Sequence, residues 1–271
     1  MKSMTGYVKL SKSIKGYGSV TCEIRSVNGK GLNTTFKLPY ELSTLENDLR
    51  KIISKKIKKG NISVNFFVNY SSDYIQNFVE TRIKSLEKVM GMEKYEKFLP
   101  LVYSDVSNYI PLVKKVERDT LLSIVKLFKL SLSSFIKYRE EEGMEIKKII
   151  HQYIKILNSN INSIKNLSKN IVKEKKEKLK KLLGEYNEQL KNELILYADK
   201  VDITEEIDRF KIHLRRLKKE ESGSSITFVL QELQREANTI SSKSEDVRII
   251  EKVIIIKEII EKMKEQVANV E

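Results

Sequence analysis

The sequence predicts an α+β protein: a small N-terminal sheet unit, then long amphipathic helices, then a C-terminal helical domain. Three observations predict it. Alternating apolar stretches with turn residues between them crowd the first seventy or so residues. From Tyr74 onward Gly and Pro thin out to Gly91, Pro100, Pro111, Gly143, Gly184 and Gly223. Apolar residues then recur at helical spacing to the end of the chain.

Val20 to Val27 and Thr34 to Leu38 read as strands, joined by the turn residues Asn28-Gly29-Lys30-Gly31 and ended by Pro39. Ser43-Thr44-Leu45-Glu46 fits a capping box, and Leu45, Leu49, Ile52, Ile53 and Ile57 follow at helical spacing. Gly60 is expected to close that helix, and Ile62 to Val68 reads as another strand, in an antiparallel or mixed sheet. The stretch from Met144 to Leu183 is a long amphipathic helix, expected to pair with Leu121 to Tyr138. A long helix with one apolar stripe needs a partner helix, which predicts homo-oligomerisation. Further on, Asp202-Ile203-Thr204-Glu205 and Ser242-Lys243-Ser244-Glu245 each read as helix starts. The division expected is 1-155 for sheet plus helices, 156-186 for a connecting long helix, and 187-271 for a helical domain carrying the candidate active site.

Composition narrows the partners. Lys and Arg number 51 against 37 Asp and Glu, a formal charge of +14. Such an excess favours RNA, DNA or an anionic membrane surface, although a Lys-, Ile- and Asn-rich composition also dilutes the signal. Cys22 is the single cysteine, so there is no disulfide framework, which suits a reducing cytosol. The first ten residues lack the apolar core of a signal peptide. Lys257 and Glu258 interrupt the most apolar run, so no segment reaches the roughly 20 residues that span a bilayer. A cytoplasmic protein with no membrane partner is expected.

Two helices carry the varied polar chemistry of a site. Asp202, Glu206, Arg209 and His213 step by four, three and four, so they fall on one stripe, with Glu205 beside it. Such a line could hold a divalent metal and bind a phosphate, with His213 as general acid, base or ligand. Helix capping and an ordinary ion pair between Glu206 and Arg209 compete with that reading. Further on, Gln231, Arg235, Asn238 and Ser242 form one polar row, and Glu232, Glu236, Thr239 and Lys243 another. Val229, Leu230, Leu233, Ala237 and Ile240 are left for the core. Glutamates at i and i+4 suit Mg²⁺ or Mn²⁺, while Arg235 and Lys243 can neutralise phosphodiester oxygens. The competing reading is a solvated face or an oligomer seam. In the last helix Lys257, Glu261 and Glu265 read as a salt-bridged exposed row, and the apolar end at Asn269-Val270-Glu271 is expected to pack. His151, among lysines, reads as surface or seam. No phosphate-binding loop, dinucleotide fingerprint or serine-nucleophile elbow is present, and the only two histidines stand far apart in sequence. Carboxylate-held metal is the simpler route to phosphodiester cleavage.

Several blocks in order along the chain are similar to the YicC/YloC family of bacterial endoribonucleases. They are Ser3-Met4-Thr5-Gly6-Tyr7, Glu23 to Asn28, Leu38-Pro39, and Arg139, Glu140, Glu142 and Gly143. The strongest runs from Ala198 to Arg209 with His213 after it; Gln231 to Lys243 and Glu265 to Glu271 follow. The resemblance implies divalent-metal-dependent cleavage of RNA by a cytoplasmic ring-like oligomer, a hexamer, acting in RNA turnover. It departs from the family at Lys30 and Gly31, and at Ser225 and Thr227, where relatives tend to carry a Lys and an Asp.

With what the resemblance implies, the expected function is that of a metal-dependent endoribonuclease cleaving RNA phosphodiester bonds. His213, Glu206 and Glu236 are the expected catalytic residues. Glu205, Glu206, Glu232 and Glu236 are the expected ligands of Mn²⁺ or Mg²⁺. Arg209, Arg235 and Lys243 are expected to bind RNA phosphates, with Arg25 and Asn28 guiding RNA on the N-terminal domain. The alternatives are a non-catalytic RNA-binding adaptor that assists another ribonuclease, and a coiled-coil scaffold.

Overall fold

The computed structural model describes residues 1–90, 116–183 and 202–271. The expected boundary at 187, the punctuation at Gly91, Pro100, Pro111 and Gly184, and the 198–201 part of the strongest block lie outside them. The fold is α+β, as the sequence predicts. It divides into two compact units, Ser3–Glu141 and Met1–Lys2 with Glu142–Glu271.

The N-terminal unit is built on strands β1 (Gly6–Ile14), β2 (Gly18–Val27), β3 (Leu32–Lys37) and β4 (Gly60–Tyr70). Strand β1 is an addition to the elements expected from sequence. Their order is β1-β2-β4-β3. The first two pairings are antiparallel and β3 pairs with β4 in parallel, so the sheet is mixed. A parallel pair needs a crossover. Here it is a 3-10 turn, Tyr40–Leu45, leading into helix α1, Glu46–Ser54. The capping box expected at Ser43–Glu46 does not form: the turn absorbs Ser43, and no side chain caps α1. Gly60 does not close α1; it opens β4 at φ +125°, a conformation glycine tolerates best.

Alternation decides which face of the sheet is dry. Val20, Cys22 and Ile24 of β2 and Ile62, Val64 and Phe66 of β4 point inward. They pack on Leu42, Leu49 and Ile53 and on Ile124, Phe128, Leu132 and Phe135 of helix α3 (Arg118–Leu183). Burial pushes the Cys22 thiol up to about 12, which leaves it a core side chain and not a nucleophile. The family-like Arg139 is also structural. It is 2% exposed, donates through Nε to the Ser3 carbonyl and lies over the Phe135 ring. Another helix, α2, spans Ser72–Met90.

Leu121–Tyr138 and Met144–Leu183 do not pair as two helices. They are successive stretches of α3, which runs unbroken for 66 residues. Gly143 is no breaker. A Cβ there would stand 2.5 Å from the Met1 carbonyl oxygen, so glycine serves close approach of the chain's start to the helix.

The C-terminal unit packs the later part of α3 with α4 (Thr204–Leu217), α5 (Gly223–Lys243) and α6 (Val247–Val267). One core holds them. It takes Ile150, Leu157, Ile161 and Ile164 from α3, and Phe210 and Leu214 from α4. Val229, Leu233, Ala237 and Ile240 come from α5, and Val253, Ile256, Ile260 and Met263 from α6. Leu157, Ile161 and Ile164, which fall in the stretch read as a connecting long helix, are among the residues of this core. Burial of one apolar stripe per helix suffices to hold the unit together, and α6 also leaves Val247, Ile254 and Ile255 exposed. Asp246, not Ser242 or Ser244, caps α6: its carboxylate accepts from the Arg248 backbone N–H at 2.8 Å. The chain's end packs within its own unit. Val270 is buried, and the Glu271 N–H donates to the Lys2 carbonyl at 2.9 Å. Among the described residues no helix is long and apolar enough to cross a membrane.

Gly223 starts α5 directly against that tail; a Cβ there would lie 2.4 Å from the Val270 carbonyl oxygen. Gly223→Ala is therefore expected to lower stability by about 1–3 kcal/mol through overpacking. Gly31→Ala, with open space around it, should stay within about 0.5 kcal/mol of the parent. Urea unfolding followed by circular dichroism checks the pair.

Candidate active site

Helices α4 and α5 pack antiparallel along one seam. At one end the Lys243 ammonium, in the last turn of α5, meets the start of α4. It bridges to Glu206 Oε1 at 2.8 Å and donates to the Asp202 carbonyl at 3.2 Å. In the middle, Glu236 senses the charges of Arg209, His213 and Glu206 on α4 and of Arg235 beside it. At the far end the Arg216 guanidinium sits 5.5 Å above the Phe228 ring. Six of the residues expected at a site, Glu206, Arg209, His213, Arg235, Glu236 and Lys243, are thus neighbours on one seam.

The local reason is amphipathicity on both helices. Ile207, Phe210, Leu214 and Leu217 hold α4 to the core, which sends Glu205, Arg209 and His213 to its outer side. Val229, Leu230, Leu233, Ala237 and Ile240 do the same for α5, and all five are buried, as expected from the sequence. Glu206 and Glu236 sit at the edge of the apolar stripes, where the helices touch. They are 7% and 5% exposed, the most buried carboxylates among the described residues.

Their environment is unusual. Glu206 Oε1 has Lys243, while Glu206 Oε2 is buried with no hydrogen-bond partner among the described residues. Burial holds the Glu236 carboxyl above the ordinary carboxylate range. Arg209 and His213 pull the other way, and the Glu206 charge adds to the rise. Lys243 is raised, chiefly by its hydrogen bond to Glu206. Asp202 is lowered because its carboxylate accepts from Thr204, with the backbone bond at 2.9 Å. The N-cap position of α4 is nevertheless Ile203, with no side-chain cap; Asp202, one residue earlier, holds the Thr204 N–H in a local turn, a structural role and not the cap expected from the sequence.

Not every expected ligand joins. Glu205 forms an exposed ion pair with Arg209 at 2.5 Å, one turn along the same helix. Glu232 stands one turn nearer the start of α5 than Glu236 and joins none of these contacts. Among the described residues no group of three His, Cys, Asp or Glu side chains is placed to enclose a metal ion. What converges is a pair of carboxylates. A Mg²⁺ ion that keeps most of its water asks for only one or two carboxylates. The pair, with one bare oxygen, fits such a hydrated ion and does not fit a fully protein-caged one. Arg25 and Asn28 belong to the other unit. Arg25 is exposed on the open face of the sheet, and the Asn28 carbonyl accepts from the Asn61 amide at 3.1 Å. Sequence reasoning missed Arg216 and Phe228. The available signal was Phe228 itself, a large aromatic one step off the core stripe and 49% exposed.

An α+β chain with a charged seam between two bundle helices is thus the class these features define. Two family profiles together span it. One, "Endoribonuclease YicC-like, N-terminal region", matches residues 1–148, and the other, "Endoribonuclease YicC-like, C-terminal", matches 144–271. Two proteins named "Probable endoribonuclease YicC" are similar along their length. That of Clostridioides difficile (strain 630) is 30% identical over 291 aligned positions, and that of Haemophilus influenzae 27% over 285. Each alignment covers 99% of this chain and 99% of the relative. The chain belongs to the YicC-like endoribonuclease family.

The raised Glu236 carboxyl makes a stability prediction with a definite sign. A carboxyl raised in the folded state costs stability when ionised, and the cost disappears as pH falls through its folded pKa toward the unfolded value. Glu236→Gln is therefore expected to melt higher than the parent near pH 8, with the gap closing below about pH 4.5. Thermal melts across that range measure it; a gap that widens in acid contradicts the assignment.

Proposed function

We propose that the protein is a metal-dependent endoribonuclease that cleaves RNA phosphodiester bonds at the α4–α5 seam. One observation carries the proposal: two buried carboxylates, Glu206 and Glu236, lie within electrostatic reach of each other and of Arg209, Arg235 and His213. Membership of an endoribonuclease family supports the reaction class and RNA as substrate. A formal charge of +14 supports a polyanionic partner.

Each side chain then has a task. Glu206 Oε2 and Glu236 are the oxygens proposed to take Mn²⁺ or Mg²⁺, with Glu205 and Glu232 outside that pair. Bound there, the ion would polarise a phosphoryl oxygen and lower the pKa of an attacking water. Lys243 holds the Glu206 carboxylate through Oε1 and leaves Oε2 buried without a hydrogen-bond partner among the described residues. Arg209 and Arg235 offer planar donor forks to the non-bridging oxygens. His213 is the proposed donor of a proton to the departing oxygen. Glu236, held above the ordinary carboxylate range, is suited to pass a proton as well as to bind a cation. The working form is proposed to be a cytoplasmic ring-like hexamer acting in RNA turnover. The exposed Val247, Ile254 and Ile255 of α6 are surface that contact between copies would cover.

A non-catalytic RNA-binding adaptor is the second reading. It is favoured by Lys243, which already neutralises Glu206, and by the absence of a three-ligand group among the described residues. One assay separates the two. Labelled RNA is incubated with the purified chain and Mn²⁺, Mg²⁺ or chelator. Cleavage is expected with metal and not with chelator. It should fall at least about 100-fold in Glu236→Gln and His213→Ala, with circular dichroism unchanged. Binding without cleavage in every metal would establish the adaptor. Arg235→Ala should leave folding intact and reduce the salt slope of RNA binding by about one phosphate contact.

A further inference from the structure

The sheet of the N-terminal unit has one dry face and one open face. Its register places Tyr7 opposite Arg25, Arg25 opposite Ser63, and Ser63 opposite Thr35. These four residues therefore form a single row across all four strands, on the side away from the core. The next row is Lys9, Glu23, Asn65 and Lys37. Tyr7 is 50% exposed and Phe67, farther along the same face of β4, is 55% exposed. Both rings are therefore open to solvent on this face.

The face also contains a cavity. It holds about 320 Å³ and is lined by Arg25, Asn33, Thr35, Asn61 and Ser63 among others. Pockets of small-molecule size begin at about 300 Å³. Its rim is rich in groups that donate and accept. The Asn33 and Asn61 amides are register partners across β3 and β4. Asn61 is committed through Nδ2 to the Asn28 carbonyl at 3.1 Å, which fixes its amide in place. Ser63 and Thr35 use their hydroxyls only in long contacts of 3.5 Å to backbone carbonyls. Arg25 forms no side-chain hydrogen bond or ion pair among the described residues and is exposed. Lys9, Arg25 and Lys37 set three cations against Glu23, the one acid among the outward residues of the four strands.

From this arrangement we infer that the open face of the sheet is a single-stranded RNA platform, separate from the α4–α5 seam, with its cavity taking one nucleobase. Strands lie about 5 Å apart, so the Tyr7–Arg25–Ser63–Thr35 row is roughly 15 Å across, room for two or three bases. Tyr7 and Phe67 supply rings on which bases stack, and the Arg25 guanidinium offers both a flat face and phosphate donors. Within the cavity, amide and hydroxyl groups are the kind that read a base edge. Stacking on open rings recognises unpaired bases, so the substrate class is single-stranded RNA. This inference rests on the RNA reading proposed above and adds a second contact region to it.

The test uses the full chain and a fluorescent oligouridylate about 12 nucleotides long, in chelator so that the strand stays intact. Binding is followed by anisotropy, and mass by light scattering. The variants are Tyr7→Ala with Arg25→Ala, Asn33→Ala alone, and Lys155→Ala as an exposed-cation control in the other unit. The double variant is expected to bind about tenfold more weakly at unchanged mass, with Lys155→Ala much closer to the parent. Asn33→Ala is expected to alter the preference between oligouridylate and oligoadenylate. Circular dichroism confirms that the variants fold, and photo-crosslinking of thiouridine-bearing RNA to the Tyr7 or Phe67 peptide is a readout that needs no substitution. Parental affinity in the double variant, with no crosslink on the sheet, overturns the platform while leaving cleavage at the seam as a live reading. A changed mass in the double variant assigns the face to contact between copies and overturns it as well. If the parent chain binds no RNA at all, the platform and the RNA reading fall together.

Discussion

The candidate active site depends on how α4 and α5 share their apolar stripes. Phe210 and Leu214 on one helix and Leu233 and Ala237 on the other are fully or almost fully buried in the same core. That packing leaves Glu206 and Glu236 at the line where the helices touch, too far inside to be well hydrated. A carboxylate stripped of water must be protonated, paired or bound to a cation. Lys243 pairs one oxygen of Glu206. The other oxygen and the raised Glu236 carboxyl keep an unmet demand for positive charge, and that demand is what makes the seam chemically poised.

The rest of the C-terminal unit maintains this arrangement. Lys165 and Asp208, 3.8 Å apart, lie on α3 and α4, and Arg248 reaches Glu174 of α3 at 3.1 Å from the start of α6. These pairs are exposed and contribute little energy each, but they help fix the helices' register around the shared core. The tail does the same from the other end. Gly223 lets Val270 approach the start of α5, and the Glu271 N–H closes on Lys2. Blocks that carry the family resemblance thus divide by role. Ser3, Arg139, Gly143 and Val270 are structural, whereas Glu206, Arg209, His213, Arg235 and Glu236 line the seam.

The N-terminal unit follows a different logic. Its sheet is satisfied on one face by α1 and α3 and left open on the other. Cation–π contact of Arg50 with Phe36, and the cluster of Tyr17, Tyr70 and Tyr74 around Glu41, brace the sheet at its rim. None of these groups points onto the row through Tyr7 and Arg25. The open face can therefore serve recognition without disturbing the core.

Periodicity was sufficient for much of this. Val229, Leu230, Leu233, Ala237 and Ile240 were legible as a core stripe because helical spacing repeats what packing requires, and strands β2 and β4 were legible from their inward apolar residues. Spacing also placed Glu206, Arg209 and His213 on one stripe and Glu236 with Lys243 on another. Strand β1 was not read from the sequence: its edge position leaves only Ile14 fully buried, and Lys12 stands where the alternation of Val8, Leu10 and Ile14 would place an apolar residue. Gly143 misled for a related reason: a glycine that admits a neighbouring chain looks the same in sequence as one that ends a helix. The capping boxes failed because a 3-10 turn and Asp246 satisfied the same backbone donors. What the sequence alone determined is which residues share a helix face or a strand face, since that follows from local backbone geometry. Only the tertiary structure decided that Glu236 lies within reach of the Glu206 charge, that Lys243 occupies one oxygen of Glu206, and that Glu205 pairs with Arg209. Those outcomes depend on which helices meet, in what direction and at what depth, and no spacing within a single helix encodes them.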